Sequence, residues 1–167
     1  DLHFSTIHGT KKNIAPFKKS QFIFGASKKS LEHIPPEKSM VLENWVDETR
    51  FDNFEKETPE YFLYIGRFEP VKNPERLIRS WKTSYGKLFM VGSGQLETKL
   101  KNLIEELKLN DVIKIQPENN DVGSLLKKAH ALIISSDREG SPKVLYESLY
   151  CEVPVLSTNC GNIAEIL

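Results

Sequence analysis

The sequence predicts an α/β fold whose main part is a doubly wound parallel sheet. From Tyr61 onward, short apolar runs alternate with stretches of helical periodicity, the pattern left by βαβ units. The runs after the first are dominated by aliphatic residues, as strands covered by helices on both faces require. The helical stretches between them open on residues that cap or start helices, so the alternation is punctuated.

In chain order the strand candidates of this part are Phe62–Gly66, Leu88–Gly92, Val112–Gln116, Ala131–Ser135 and Pro154–Ser157. Asn73 is placed to cap the first helix and Pro74 to start it, since an N–H in the first turn would have no intrahelical partner; Leu77, Ile78 and Trp81 then share a face. Leu96, Leu100, Leu103, Ile104 and Leu107 recur at a period of about 3.6 residues and predict a second helix packed on the sheet. Asn120 or Asp121 can cap a short third helix through Ala129, Pro142 opens a fourth that runs to about Tyr150, and another helix begins at Ile163. Upstream, Gln21–Phe24 and Met40–Leu42 are further strand candidates, flanking a Ser27-capped segment that ends at Pro35-Pro36. The charged stretch from Asn44 to Pro59 has few aliphatics and reads as a linker. The expected organisation is therefore the remnant of one unit over 1–48, a linker over 49–60, and the main domain over 61–167.

Composition narrows the function classes. Lys plus Arg and Asp plus Glu each number 23, so no global charge draws the chain to nucleic acid. The first 38 residues carry seven Lys against three acids, a bias that fits a solvated surface or a position near anionic lipid. Cys151 and Cys160 are too few for a disulfide framework and lack zinc spacing, which fits a reducing cytoplasm. No apolar run approaches the ~20 residues of a membrane span. There is no signal peptide and no Met before Asp1, so the chain reads as a fragment.

In a doubly wound sheet of 3-2-1-4-5 order the ligand crevice lies between the C-terminal ends of the first and fourth strands. The loops selected by that rule are Gly66-Arg67-Phe68-Glu69-Pro70-Val71-Lys72-Asn73 and Ser136-Asp137-Arg138-Glu139-Gly140-Ser141-Pro142. Arg67 and Lys72 suit a diphosphate, one bidentately and one as a point charge; alternatively Arg67 pairs with Glu69 and Lys72 is solvated. Gly140 permits close backbone approach, and the N–H groups of Ser141, Lys143 and Val144 at a helix start attract anionic oxygens. Glu139 and Glu147, eight residues apart, flank that terminus; the plainer readings are a helix-dipole carboxylate for Glu139 and a Lys143–Glu147 surface pair. Gly92-Ser93-Gly94 follows the second strand and has Glu97 in place of a third glycine, so it reads as a tight turn into the Leu96 helix and not as a dinucleotide fingerprint.

The run Glu139-Gly-Ser-Pro-Lys-Val-Leu-Tyr-Glu147 resembles the E-x7-E signature of family 4 glycosyltransferases, which share the GT-B fold of two facing Rossmann-like domains. Tyr64-Ile65-Gly66-Arg67 with Lys72-Asn73, Met90 to Gly94, Val153 to Leu156 and Gly161 to Ile166 follow in the family's order. Ala26-Ser27 and Glu43 to Asp47 are similar to the end of its N-terminal domain. The resemblance implies the Rossmann-like, nucleotide-sugar-binding C-terminal half of GT-B, ending before its natural C-terminus.

That resemblance also implies roles. Arg67 and Lys72 would hold the donor diphosphate beside Gly66, Glu147 the ribose hydroxyls, and Glu139 the donor sugar. The N–H groups from Gly140 through Val144, including those of Ser141 and Lys143, would hold sugar and phosphate oxygens, and Pro117-Glu118-Asn119 would meet the nucleobase. Ile7-His8-Gly9 is similar to the strand end that brings a histidine to the sugar, although a strand-terminal histidine is also commonly structural. The implied activity is retaining transfer from a UDP- or GDP-sugar to an acceptor hydroxyl on a glycan or lipid-linked acceptor, in cell-surface glycan, lipopolysaccharide or capsule synthesis. No metal and no cofactor is implied. The setting would be cytoplasmic, at the inner membrane face if the N-terminal part makes peripheral contact, and this stretch alone should bind donor but hardly turn over. A non-catalytic nucleotide-binding module and a GT-B sugar-nucleotide epimerase are the competing readings. Glu152 stands where glycine is usual, Asn162 replaces the second glycine of a pair, and Ser141 stands where a bulkier residue is frequent.

Overall fold

The aliphatic runs pair as expected. In the computed structural model, which describes residues 4–7 and 20–167, strands β4 (Tyr61–Ile65), β5 (Leu88–Val91), β6 (Ile113–Gln116), β7 (Ala129–Ile134) and β8 (Val155–Ser157) form one parallel sheet. Its order is β6-β5-β4-β7-β8, the 3-2-1-4-5 arrangement of the domain's own strands. Register is regular, with Phe62 opposite Leu88 and Ile65 opposite Val91, apart from a shift at Tyr61/Phe62 along β7. Leu63, Leu88, Met90 and Leu132 are wholly buried. The edge strand β8 departs from the expectation of burial on both faces: Leu156 is 55% exposed, because no described element covers that side.

The connecting helices are α1 (Pro74–Ser80), α2 (Glu97–Glu106), α3 (Val122–Lys127), α4 (Lys143–Tyr150) and the short α5 (Ile163–Ile166). Asn73 caps α1 by accepting the Arg76 N–H, with Pro74 in the first turn. In α2, Leu100, Leu103 and Ile104 of the stripe are buried against Leu77 and Ile78 of α1 and the β4–β6 strands, while Leu107 beyond its end is exposed. Asp121, and not Asn120, caps α3 through the Ser124 N–H at 3.0 Å. That helix stops at Lys127, short of the expected Ala129, because Ala129 pairs with Tyr61 and opens β7. Sheet pairing therefore overrides the helical pattern of a neutral alanine.

Contacts divide the chain into two compact units: the larger is Val46–Asp137 with Val144–Thr158, and the smaller takes the described residues up to Trp45 with Arg138–Lys143 and Asn159–Leu167. In the smaller unit β1 (Phe4–Ile7), β2 (Phe22–Gly25) and β3 (Ser39–Val41) are parallel in the order β1-β2-β3. Ile23, Leu31 and Ile34 are its buried core, with Val41 against them. Ser27 caps the turn Lys28–Leu31 in a reciprocal box with Ser30. In the larger unit, the stretch read as a linker carries the single turn Glu48–Phe51, whose Phe51 is 5% exposed and packs on Tyr150 at 5.8 Å. Further on, Glu57 and Glu60 donate backbone N–H groups to the carbonyls of Lys127 and Lys128.

Candidate functional site

Phe68 shapes the loop after β4. It is wholly buried and stacks near Tyr64, with ring centroids 6.2 Å apart, so the residue before it is turned to solvent. The Gly92-Ser93-Gly94 turn holds this loop from behind: the Phe68 N–H donates to Ser93 O at 2.7 Å, and the Leu96 N–H donates to Phe68 O at 3.0 Å. A Cβ on Gly92 would lie 2.0 Å from Gly66 O, and one on Gly94 2.6 Å from Phe68 O. The two glycines therefore do more than turn the chain into α2; they leave room for the loop that presents Arg67.

The loops after β4 and β7 meet, as the strand order requires. Asn73 adopts a left-handed conformation (φ +49°) and donates its side-chain amide to both carboxylate oxygens of Asp137 at 3.0 and 3.1 Å. The Asp137 N–H donates to Val71 O at 2.9 Å, and Ser135 Oγ donates to Lys72 O at 3.0 Å. Arg76 reaches back to Ser135 O at 2.5 Å and to Asp137 at 3.2 Å. Beside this junction lies a cleft of about 610 Å³ lined in part by Pro70, Asn73, Arg76, Leu96 and Asp137. Lys72 is half-buried at the end of the turn Pro70–Lys72. Arg67 pairs with Glu69 at 2.8 Å, the plainer of its two readings, and its side chain stays 64% exposed.

Glu147, on α4, is 5% exposed, and its partner is not the one local spacing offered. Arg50 donates from Nη1 to Glu147 Oε1 at 2.7 Å and from Nη2 to Asn120 O at 2.9 Å. The surface-pair reading of Glu147 thus gives way to a part-buried pair with a residue 97 positions upstream. Arg50 is the residue that sequence reasoning missed. The signal available was Phe51, an aromatic among the charges of the stretch read as a linker, which pins the turn that carries Arg50. In the loop after β6, Pro117 and Glu118 are exposed, and Glu118 Oε1 accepts the Ser93 hydroxyl at 2.7 Å. Asn119 Oδ1 accepts the Asp121 N–H at 2.9 Å.

Glu139, Gly140, Ser141 and Lys143 belong to the smaller unit, Glu139 half-buried and Lys143 exposed. Gly161, at φ +63°, lies against the Glu139 carbonyl, where a Cβ would stand 2.5 Å away. Two of the departures from the family pattern are bonded to each other: Asn162 Nδ2 donates to Ser141 Oγ at 3.1 Å. Asn44 Nδ2 donates to the Ser141 carbonyl. His8 lies outside the described residues. No described helix is long and apolar enough to cross a membrane.

An open parallel sheet that gathers two polar loops at its switch point defines a Rossmann-like α/β domain. The chain belongs to the family of glycosyl transferases group 1, whose model matches residues 46–167. The resemblance carried by the Glu139–Glu147 run is therefore borne out.

Two transferases of Campylobacter jejuni are among its relatives. One, a GalNAc-alpha-(1->4)-GalNAc-alpha-(1->3)-diNAcBac-PP-undecaprenol alpha-1,4-N-acetyl-D-galactosaminyltransferase, is 36% identical over 129 residues, 72% of this chain and 34% of its own. The other, an N-acetylgalactosamine-N,N'-diacetylbacillosaminyl-diphospho-undecaprenol 4-alpha-N-acetylgalactosaminyltransferase, is 30% identical over 159 residues, 86% of this chain and 42% of its own. Among solved structures, Anabaena HepE in complex with UDP-glucose superposes with a TM-score of 0.83 at 16% identity, over 99% of this chain and 56% of that one. That likeness shows the GT-B fold. The chain spans less than half the length of these curated relatives.

Proposed function

We propose that the protein is a retaining glycosyltransferase of glycan or polysaccharide synthesis, moving a sugar from a UDP- or GDP-sugar to an acceptor hydroxyl. The observation that carries this reading is the junction of the Gly66–Asn73 and Ser135–Asp137 loops at the switch point of a domain belonging to this family. Arg67 and Lys72 take the donor diphosphate, Glu147 the ribose, Glu139 the sugar, and Pro117 and Glu118 the base. The N–H groups from Gly140 through Val144 supply further donors. His8 is proposed to face the donor sugar.

The Arg67–Glu69 pair does not oppose this assignment. Both side chains are substantially exposed, at 64% and 31%, and such a pair contributes about 0–1 kcal/mol. A diphosphate offers a doubly charged, bidentate partner, and charge-assisted bonds of that kind are stronger. Cations on the leaving diphosphate stabilise its developing charge, so the reading calls for no metal. In the step itself the bond from the anomeric carbon to the diphosphate oxygen breaks. A bond from that carbon to the acceptor oxygen forms on the same face, and the hydroxyl proton passes to the departing diphosphate oxygen.

The names of the relatives support a lipid-linked acceptor, since both Campylobacter enzymes are named for undecaprenol-linked glycans. A lipid-linked acceptor places the work at a membrane surface, and we propose the cytoplasmic face. The test incubates the intact protein with UDP- and GDP-sugars and an undecaprenyl-diphosphate-linked oligosaccharide, and the anomeric configuration of the product is read by NMR. Transfer with retention is the expected outcome. Release of free epimerised sugar without transfer points to the epimerase reading, and nucleotide binding without either product to a non-catalytic module.

A further inference from the structure

We infer that Arg50 is a positioning residue for the nucleoside, fixing the Glu147 carboxylate and the chain after β6 in one geometry; this rests on the donor-site reading above. One planar guanidinium serves both: Nη1 meets Glu147 Oε1 at 2.7 Å and Nη2 meets Asn120 O at 2.9 Å. Under the proposed function Glu147 meets the ribose, and Asn120 directly follows the Pro117–Asn119 stretch that meets the base. The two elements that read the nucleoside are therefore tied to the same side chain.

The surroundings explain why this contact is firm. The Arg50 side chain is 37% exposed and that of Glu147 only 7%, so the carboxylate lies largely out of water with the guanidinium as its partner. The turn Glu48–Phe51 that carries Arg50 is anchored by Phe51, which packs on Tyr150 of the same helix as Glu147. The Arg50 guanidinium also lies 5.8 Å from the Phe51 ring centroid. A carboxylate offers two oxygens with about four acceptor sites between them. Arg50 engages Oε1, which leaves Glu147 acceptor capacity for vicinal hydroxyls and fixes the plane in which it is offered. Lysine could supply the charge but not the rigid fork that spans two acceptors.

A bridge of purely structural value would affect all ligands through folding alone, whereas a nucleoside-positioning residue affects only those that carry a nucleoside. The experiment measures dissociation constants for UDP, for GDP, and for inorganic pyrophosphate by calorimetric titration of wild type, R50Q, R50K, E147Q and the R50Q/E147Q double variant. For whichever nucleotide the wild type prefers, R50Q is expected to weaken binding about tenfold, as both bonds that hold the nucleoside-reading elements are lost. Pyrophosphate affinity should be unchanged. R50K should fall between, and it serves the same comparison if R50Q does not fold. The double variant should bind more weakly than E147Q by less than the tenfold that R50Q costs alone, because only the bond to Asn120 is then left for Arg50 to lose. Equal losses for nucleotide and pyrophosphate in R50K and R50Q, or unchanged nucleotide binding in both while E147Q is impaired, overturn the inference. Unchanged nucleotide binding in E147Q itself overturns the donor-site reading beneath it.

Discussion

Gly94→Ala tests the idea that the Gly-Ser-Gly turn exists to accommodate the Arg67 loop. The added Cβ would stand 2.6 Å from Phe68 O, 2.8 Å from Phe68 N and 2.9 Å from Phe68 C, all nearer than real Cβ contacts allow. These are backbone atoms of a residue whose side chain is wholly buried, so they cannot swing aside. Moving them breaks the Phe68 N–H to Ser93 O bond and the Leu96 N–H to Phe68 O bond, worth about 1 kcal/mol each. Alanine at φ +150° adds roughly 1–3 kcal/mol of backbone strain. The sum, about 3–5 kcal/mol, is a large share of the 5–15 kcal/mol typical of a domain. Urea denaturation followed by circular dichroism should show a midpoint lowered by roughly 2 M, for a slope near 2 kcal/mol/M. A loss below about 1 kcal/mol would mean the two loops are not in the contact described, and would refute the reasoning.

The turn after α4 offers the opposite case. Glu152 sits at φ +54°, with its N–H on Leu149 O and the Val153 N–H on Ser148 O, a helix C-terminus that favours glycine. Glu152→Gly should raise stability by about 0.5–1 kcal/mol, and a scanning calorimetry midpoint that falls instead would contradict the assignment. Cys151 supplies a pH dependence: burial first, and the Glu147 carboxylate second, push its thiol up to about 11 from the ordinary 9.0. A folded-state pKa above the unfolded one gives stability that is whole below pH 9 and is lost as pH rises through about 11. Wild type should therefore lose stability more steeply than Cys151→Ala between those limits, and parallel denaturation curves would count against a buried thiol.

Much of the fold was legible because each signal was local and agreed with its neighbours. Aliphatic runs marked β5 to β8, Asn73-Pro74 marked the start of α1, and the strand-order rule then brought the loops after β4 and β7 together. Asn73 shows where local reading stops. Its capping role follows from sequence, but its left-handed backbone and its grip on Asp137 depend on a strand that lies far along the chain. Glu147 shows the same limit more sharply. Helical spacing offered Lys143 as a partner, whereas burial selected Arg50 from a segment whose charge made it look like a tether. Phe51 was the exception in that segment, an aromatic residue buried as part of the core.

Titration of the chain with UDP and with GDP, followed by backbone amide shifts, tests the central claim most directly. The account expects saturable binding of one nucleotide, with the largest shifts over Gly66–Asn73, Pro117–Asn120 and Glu139–Glu147, and weaker binding in Glu147→Gln. Failure of both nucleotides to bind at millimolar concentration, or shifts confined to other surfaces, would contradict the assignment of a donor site to this domain.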